Sequence, residues 1–122
     1  MNPSTKTQSF SASSEMGDGK LLTKLTGNAD VATRPALADF LNQVHEAAKS
    51  PSVSEVVVDL RDLEFMNSAC LKAIVTCIFV ARELPSNNRY QILLVSDPAV
   101  LWQRRSVQAL SCVATDLVKL QS

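Results

Sequence analysis

The sequence predicts an α/β fold: one small domain in which helices alternate with the strands of a mainly parallel or mixed sheet of four to five strands. Three observations predict it. Val56-Val57-Val58-Asp59-Leu60 and Ile92-Leu93-Leu94-Val95 are short, uninterrupted apolar runs with the composition of strands buried on both faces. Around them, apolar residues recur at helical spacing. Gly, Pro and Asn then punctuate the chain into strand, helix, strand, helix, strand, helix, strand, the order from which right-handed crossovers build a parallel sheet. At 122 residues and 46% hydrophobic side chains, the chain suffices for one core and is too short for two.

Residues 1–18 are rich in Ser, Thr, Asn and Gln, and offer little to bury beyond Phe10 and Met16. They read as a flexible polar tail or a short edge strand near Phe10, ahead of a domain spanning 19–122. Gly17-Asp18-Gly19 is a turn by composition. Leu21, Leu22 and Leu25 then interleave with Thr23, Lys24 and Thr26 in a strand that ends at Gly27-Asn28.

Pro35 suits a first helical turn, and Leu37, Phe40, Leu41, Val44 and Ala48 form one stripe, predicting a helix over 35–49. Ser50-Pro51-Ser52 breaks it, and the Val56 run supplies the central strand. A second helix begins near Ser68 or Ala69. Leu71, Ile74, Val75 and Ile78 mark its stripe, Phe79 and Val80 widen it, and Leu84-Pro85 stops it. So apolar a helix is expected to be substantially buried. Asn87-Asn88 turns the chain into the Ile92 strand. Asp97-Pro98 supplies an N-cap and a first-turn proline for a third helix over 98–110, and Leu117, Val118 and Leu120 suit a closing strand.

Twelve basic and twelve acidic residues cancel, so no long-range field draws the protein to nucleic acid or an anionic membrane. No apolar run approaches the roughly 20 residues of a membrane-spanning helix, and the N-terminus has no export signal, which together point to the cytoplasm. Cys70, Cys77 and Cys112 lie among apolar neighbours and read as reduced core thiols. With one histidine and no Cys-x-x-Cys pair, no metal site and no cofactor are implied.

The stretch Val56-Val57-Val58-Asp59-Leu60-Arg61-Asp62-Leu63-Glu64-Phe65-Met66-Asn67-Ser68-Ala69-Cys70-Leu71 resembles the STAS family, the anti-sigma-factor-antagonist domains. In that family a valine-rich strand ending in Asp-Leu is followed by a short acidic-apolar link ending in Phe-Met or Phe-Ile, and then by Asp-Ser-Ser-Gly-Leu opening a helix. Gly27-Asn28-Ala29-Asp30 is similar to the family's Gly-x-x-Asp turn, and with the order of elements the resemblance extends over roughly 20–120. It implies helices mostly on one side of a mixed sheet. It further implies a partner kinase of ATPase-type fold that phosphorylates the serine after the motif aspartate, so that a third protein is released or captured. Carried onto this chain, the phosphoacceptor is Ser68. Asn67 stands in place of the aspartate and Ala69-Cys70 in place of Ser/Thr-Gly. Relatives with Asn-Thr or Asn-Ser include phosphorylated adaptors that act on diguanylate cyclases, and others have lost phosphorylation.

Physical chemistry supports Ser68 independently. The first amides of a helix lack intrahelical acceptors and carry partial positive charge, so a phosphate placed there gains hydrogen bonds and a favourable dipole. A group of about −1.5 to −2 charge at neutral pH repels an interface that has docked on a neutral patch. Asn67 removes a nearby negative charge and still caps the helix. The competing reading of Asn67-Ser68 is an ordinary N-cap.

Other chemistries fare worse. A Ser-His-Asp set would need Ser68, His45 and Asp59, but no Gly-x-Ser-x-Gly elbow presents the serine, and His45 reads as a partly exposed helical histidine. Gly17, Gly19 and Gly27 form no phosphate-cradling loop. Asp59, Asp62 and Glu64 read as a solvated acidic edge. Trp102-Gln103-Arg104-Arg105 combines an aromatic with paired arginines, as interfaces do. Its competing reading puts Leu101 inward and the arginines on a wet face, one of them paired with Asp97 or Asp116.

The leading expectation is a regulatory binding module without catalysis of its own. Gly27, Asn28, Asp30, Arg61, Asp62, Asn67, Ser68, Ala69 and Cys70 would dock on a protein partner, either a serine kinase or anti-sigma-like regulator or a diguanylate-cyclase-type one. The alternative is a scaffold subunit that is never phosphorylated and assembles through Trp102, Arg104 and Arg105, as a homodimer or with a second partner.

Overall fold

The computed structural model describes residues 3–50, 52–85 and 89–121. The breaker Pro51 and the turn expected at Asn87-Asn88 lie outside the described residues. The strands are β1 (Ser4–Lys6), β2 (Phe10–Gly17), β3 (Lys20–Ala29), β4 (Glu55–Asp59), β5 (Leu63–Met66), β6 (Gln91–Val95) and β7 (Val118–Gln121). The helices are α1 (Arg34–Ala48), α2 (Ser68–Arg82) and α3 (Leu101–Val113), with a 3₁₀ turn at Val31–Thr33.

The seven strands form one mixed sheet in the order β1-β2-β3-β4-β6-β7, with β5 paired to β3 off this path, which is wider than the four to five strands expected. β1 and β2 pair antiparallel, as do β2 and β3, and the remaining pairs are parallel. From β3 to β7 the order steps in one direction. Crossovers of one hand then deliver all three helices to the same face, and residues of α1, α2 and α3 join one core cluster with alternate residues of the strands.

Register explains which residues face that core. Leu21, Thr23 and Leu25 of β3, Val56 and Val58 of β4, and Ile92 and Leu94 of β6 point to the helices and are buried. Val57 and Leu93, expected to be buried, are instead half-exposed on the far side. That face stays open, and cross-strand ion pairs such as Lys20–Glu55 at 3.4 Å solvate it.

The polar N-terminus is strand, because alternation outweighs composition there. Phe10, Ala12 and Ser14 turn inward, and the Ser14 and Thr23 hydroxyls satisfy each other at 3.0 Å. Asp18 and Gly19, both at positive φ (51° and 77°), make the two-residue turn that joins β2 to β3.

α1 buries its predicted stripe together with His45. Phe79 and Val80 of α2 are exposed, so that helix is less buried than its composition suggests. α3 starts later than predicted, because Asp97 forms a turn instead of a cap. Its Oδ1 accepts from the Ala99 amide at 3.0 Å and its carbonyl from the Val100 amide at 3.0 Å. α3 also sits rotated from its expected setting, with Leu101 exposed and Gln103 fully buried.

Candidate functional site

β3 and β5 build the corner at which α2 begins. β4 pairs with the first half of β3, and β5 continues along the second half, with Leu63 opposite Gly27 and Phe65 opposite Asn28. The register therefore shifts by one residue at Glu64. Such a bulge re-aims the side chains beyond it: Leu63 is buried in the core and Phe65 is exposed. The Asn67 amide then donates to the Ala29 carbonyl at 2.9 Å, tying the exit of β5 to the end of β3.

Asn67 caps α2, its Oδ1 accepting from the Cys70 amide at 2.9 Å. Ser68 is the first helical residue and its side chain is exposed. Asn67 serves the third amide of the helix, and those of Ser68 and Ala69 have no intrahelical acceptor. Exposed Lys72 follows one turn on, at the spacing that places two side chains together on a helix surface.

The other expected partner-binding residues divide. Asp30 caps the 3₁₀ turn, its Oδ1 accepting from the Thr33 amide at 3.1 Å and the Thr33 hydroxyl at 3.0 Å. Asn28 lies beside β5, with its side-chain amide 3.5 Å from Glu64 Oε2. Gly27 has a structural role. Its φ is +98°, and a Cβ there would run into the Ser9 carbonyl oxygen. Cys70, read both as a core thiol and as a partner-binding residue, is fully buried, which corrects the second; its thiol donates to the Asp30 carbonyl at 3.3 Å, and burial pushes its pKa up. It seats the helix and offers nothing to a partner.

Arg61 and Asp62 project on the side of the open sheet face. Arg61 grips Asp59 through Nε (3.0 Å) and Nη2 (2.9 Å), and this hydrogen bonding holds the Asp59 carboxyl below its usual range. Asp62 pairs with Lys24 at 2.8 Å. Gly27, Arg61, Asp62, Glu64 and Val100 line a shared shallow depression that does not include Ser68. The expected residues thus form two patches flanking β5.

Sequence reasoning missed the apolar members of this rim. Val31, just past β3, is 72% exposed, Phe65 48% and Leu101 62%. Single exposed apolar residues are ordinary, but Val31 follows the end of β3 to which Asn67 is bonded, and Phe65 lies three residues before Ser68. Trp102, next to Leu101 at the start of α3, donates its Nε1–H to the Glu64 carbonyl at 2.9 Å, which ties α3 to β5 and blunts that strand's free edge. Gln103 was missed too. Its amide nitrogen donates to the Leu60 (2.6 Å) and Leu63 (3.0 Å) carbonyls, and its oxygen accepts from the Asp97 amide (2.8 Å), so one side chain fixes both loops of the rim. The available signal was its place one turn before Val107 on the inward stripe of α3.

Arg104 and Arg105 are exposed, and neither forms an ion pair among the described residues; Asp116 pairs with Arg89 at 3.5 Å. His45 is buried against Tyr90, which corrects the partly exposed setting expected for it, and neither it nor Asp59 hydrogen-bonds Ser68. Cys112, expected in the core, is exposed. Among the described residues no three His, Cys, Asp or Glu side chains are grouped to hold a metal ion, and no helix is long and apolar enough to cross a membrane.

The sequence matches no family model and no curated protein. The fold is similar to that in the crystal structure of an anti-sigma factor antagonist from Mycobacterium paratuberculosis. The two share 23% sequence identity at a TM-score of 0.67, over 91% of this chain and 86% of that one. At that identity the likeness establishes the architecture: the chain has a fold of the anti-sigma-factor-antagonist, or STAS-like, kind.

Proposed function

We propose that the chain is a regulatory protein-interaction module. The rim around Asn67-Ser68 docks on a cytoplasmic partner, a serine kinase or anti-sigma-like regulator or a diguanylate-cyclase-type one, and a phosphate on Ser68 decides whether docking occurs. The observation that carries this reading is the exposed Ser68 hydroxyl at the first position of α2, three residues after exposed Phe65 and next to Asn67, which is bonded to the end of β3 that exposed Val31 follows. An apolar rim supplies the desolvated contacts on which interfaces depend. A phosphate there would meet two free amides and Lys72 without disturbing the core, and would place about two negative charges in the docking surface. The rim residues act by binding, and no bond-making step is assigned to them.

The test is affinity capture from the native cytoplasm with wild-type, Ser68→Ala and Ser68→Asp baits, each followed by intact-mass measurement. Capture by wild type and Ser68→Ala, its loss with Ser68→Asp, and a phosphate on the recovered wild-type bait are the expected results. Equal capture by all three baits removes the switch.

A second reading is favoured by Arg104 and Arg105, which are exposed without ion pairs among the described residues. Here the chain is an unphosphorylated scaffold that assembles through α3 and Trp102. The double variant Arg104→Glu, Arg105→Glu then loses assembly, whereas Ser68→Asp keeps it.

A further inference from the structure

A groove of about 180 Å³ runs between α1 and α2, away from the rim, with Leu41, Ala73 and Val80 among its walls. Its size is below the roughly 300–1,000 Å³ of drug-sized sites and close to the ~150 Å³ that holds a benzene-sized guest. His45 lines it and is only 6% exposed. The ring's Nδ1 lies 2.7 Å from the Tyr90 hydroxyl, its one hydrogen bond among the described residues, which leaves Nε2 open to the groove.

The tautomer is set by Tyr90. This phenol is buried, and His45 Nδ1 is the one hydrogen-bond partner it has among the described residues. A buried hydroxyl left without an acceptor is costly, so Tyr90 donates to Nδ1 and the ring's own proton sits on Nε2. The groove therefore presents an N–H donor on an otherwise buried ring. Asn42, one turn earlier on the same helix face, adds an amide that forms no other hydrogen bond among the described residues. The surrounding charge suits an anion. Arg34, on the same stripe, has no ion pair among the described residues, and the carboxylate of neighbouring Glu46 is engaged by Lys49 at 2.9 Å.

We propose that this groove is a binding site for a small carboxylate with a compact apolar body. The carboxylate accepts from His45 Nε2–H and the Asn42 amide, and the body lies against Leu41, Ala73 and Val80. Burial lowers the pKa of His45, so the imidazole stays neutral and keeps one donor for the ligand.

The test is NMR on the full chain, with hexanoate as the probe and hexylammonium as a cation of matched shape. Hexanoate is expected to shift the His45 ring and Val80 methyl signals saturably in the millimolar range, and hexylammonium is not. Ala73→Leu, which fills the groove from α2, should weaken hexanoate about tenfold or more. Should that variant fail to fold, Asn42→Ala at its exposed position carries the same expectation of weakened binding. Absence of a saturable shift, equal response to hexylammonium, or undiminished affinity in the folded variants would overturn the assignment.

Discussion

The side chain of Asn67 receives the backbone amide of Cys70 at 2.9 Å, and this bond sets the start of α2. Asn67→Ala should therefore cost about 1 kcal/mol of stability. Asn67→Asp should keep the cap and gain up to about 1 kcal/mol from its charge at the helix's positive end. Urea titration of the three proteins checks both signs.

Phe65 separates docking from folding. Its side chain is exposed, so Phe65→Ala should change stability by about 0.5 kcal/mol or less. An apolar contact at the heart of an interface costs about 1 kcal/mol or more when truncated. Partner affinity measured beside thermal melting is expected to fall while the melting temperature holds.

Gln103 should behave in the opposite way. Gln103→Leu keeps the volume roughly constant but leaves two carbonyls and one amide without their partner, at a cost of about 2–4 kcal/mol. The loss should appear in hydrogen exchange first at Asp97, whose amide it directly holds.

Gly27→Ala should be severe for its size. The φ of +98° and the collision with the Ser9 carbonyl act together, for about 2 kcal/mol or more. Weakened amide protection at Asn28, which donates to that same carbonyl at 2.8 Å, is the local readout.

The single histidine makes the pH dependence readable. Burial depresses the pKa of His45 below its ordinary 6.5, so the unfolded chain binds a proton more readily than the folded one. The stability it contributes is complete above pH 6.5 and is lost as pH falls through the folded pKa. An NMR titration of the ring should give a midpoint below 6.5, with the melting temperature declining over the same interval.

Much of this was readable because local chemistry and tertiary setting agree. The Leu37 to Ala48 stripe, the Asp18-Gly19 turn and the Asn67 cap each follow from spacing or side-chain type. The remainder depended on partners far along the chain. β2 was hidden because its inward Ser14 is satisfied by Thr23, a match that composition does not reveal. The inward setting of Gln103 depends on carbonyls 40 and 43 residues away, and on a turn at Asp97 that delays the start of α3. Cys70 was given a docking role by its neighbours in the motif, whereas the third position of a capped helix turns it inward, in keeping with its apolar surroundings in the sequence.

The extra residue in β5 makes segment length itself a determinant of the face the domain displays. Excising Glu64 would restore a continuous pairing with β3 and keep the aromatic ring on its present side, opposite Asn28, whereas pairing the same residues without the bulge would turn it to the side of buried Leu63. Segment length and displayed face are therefore linked through register.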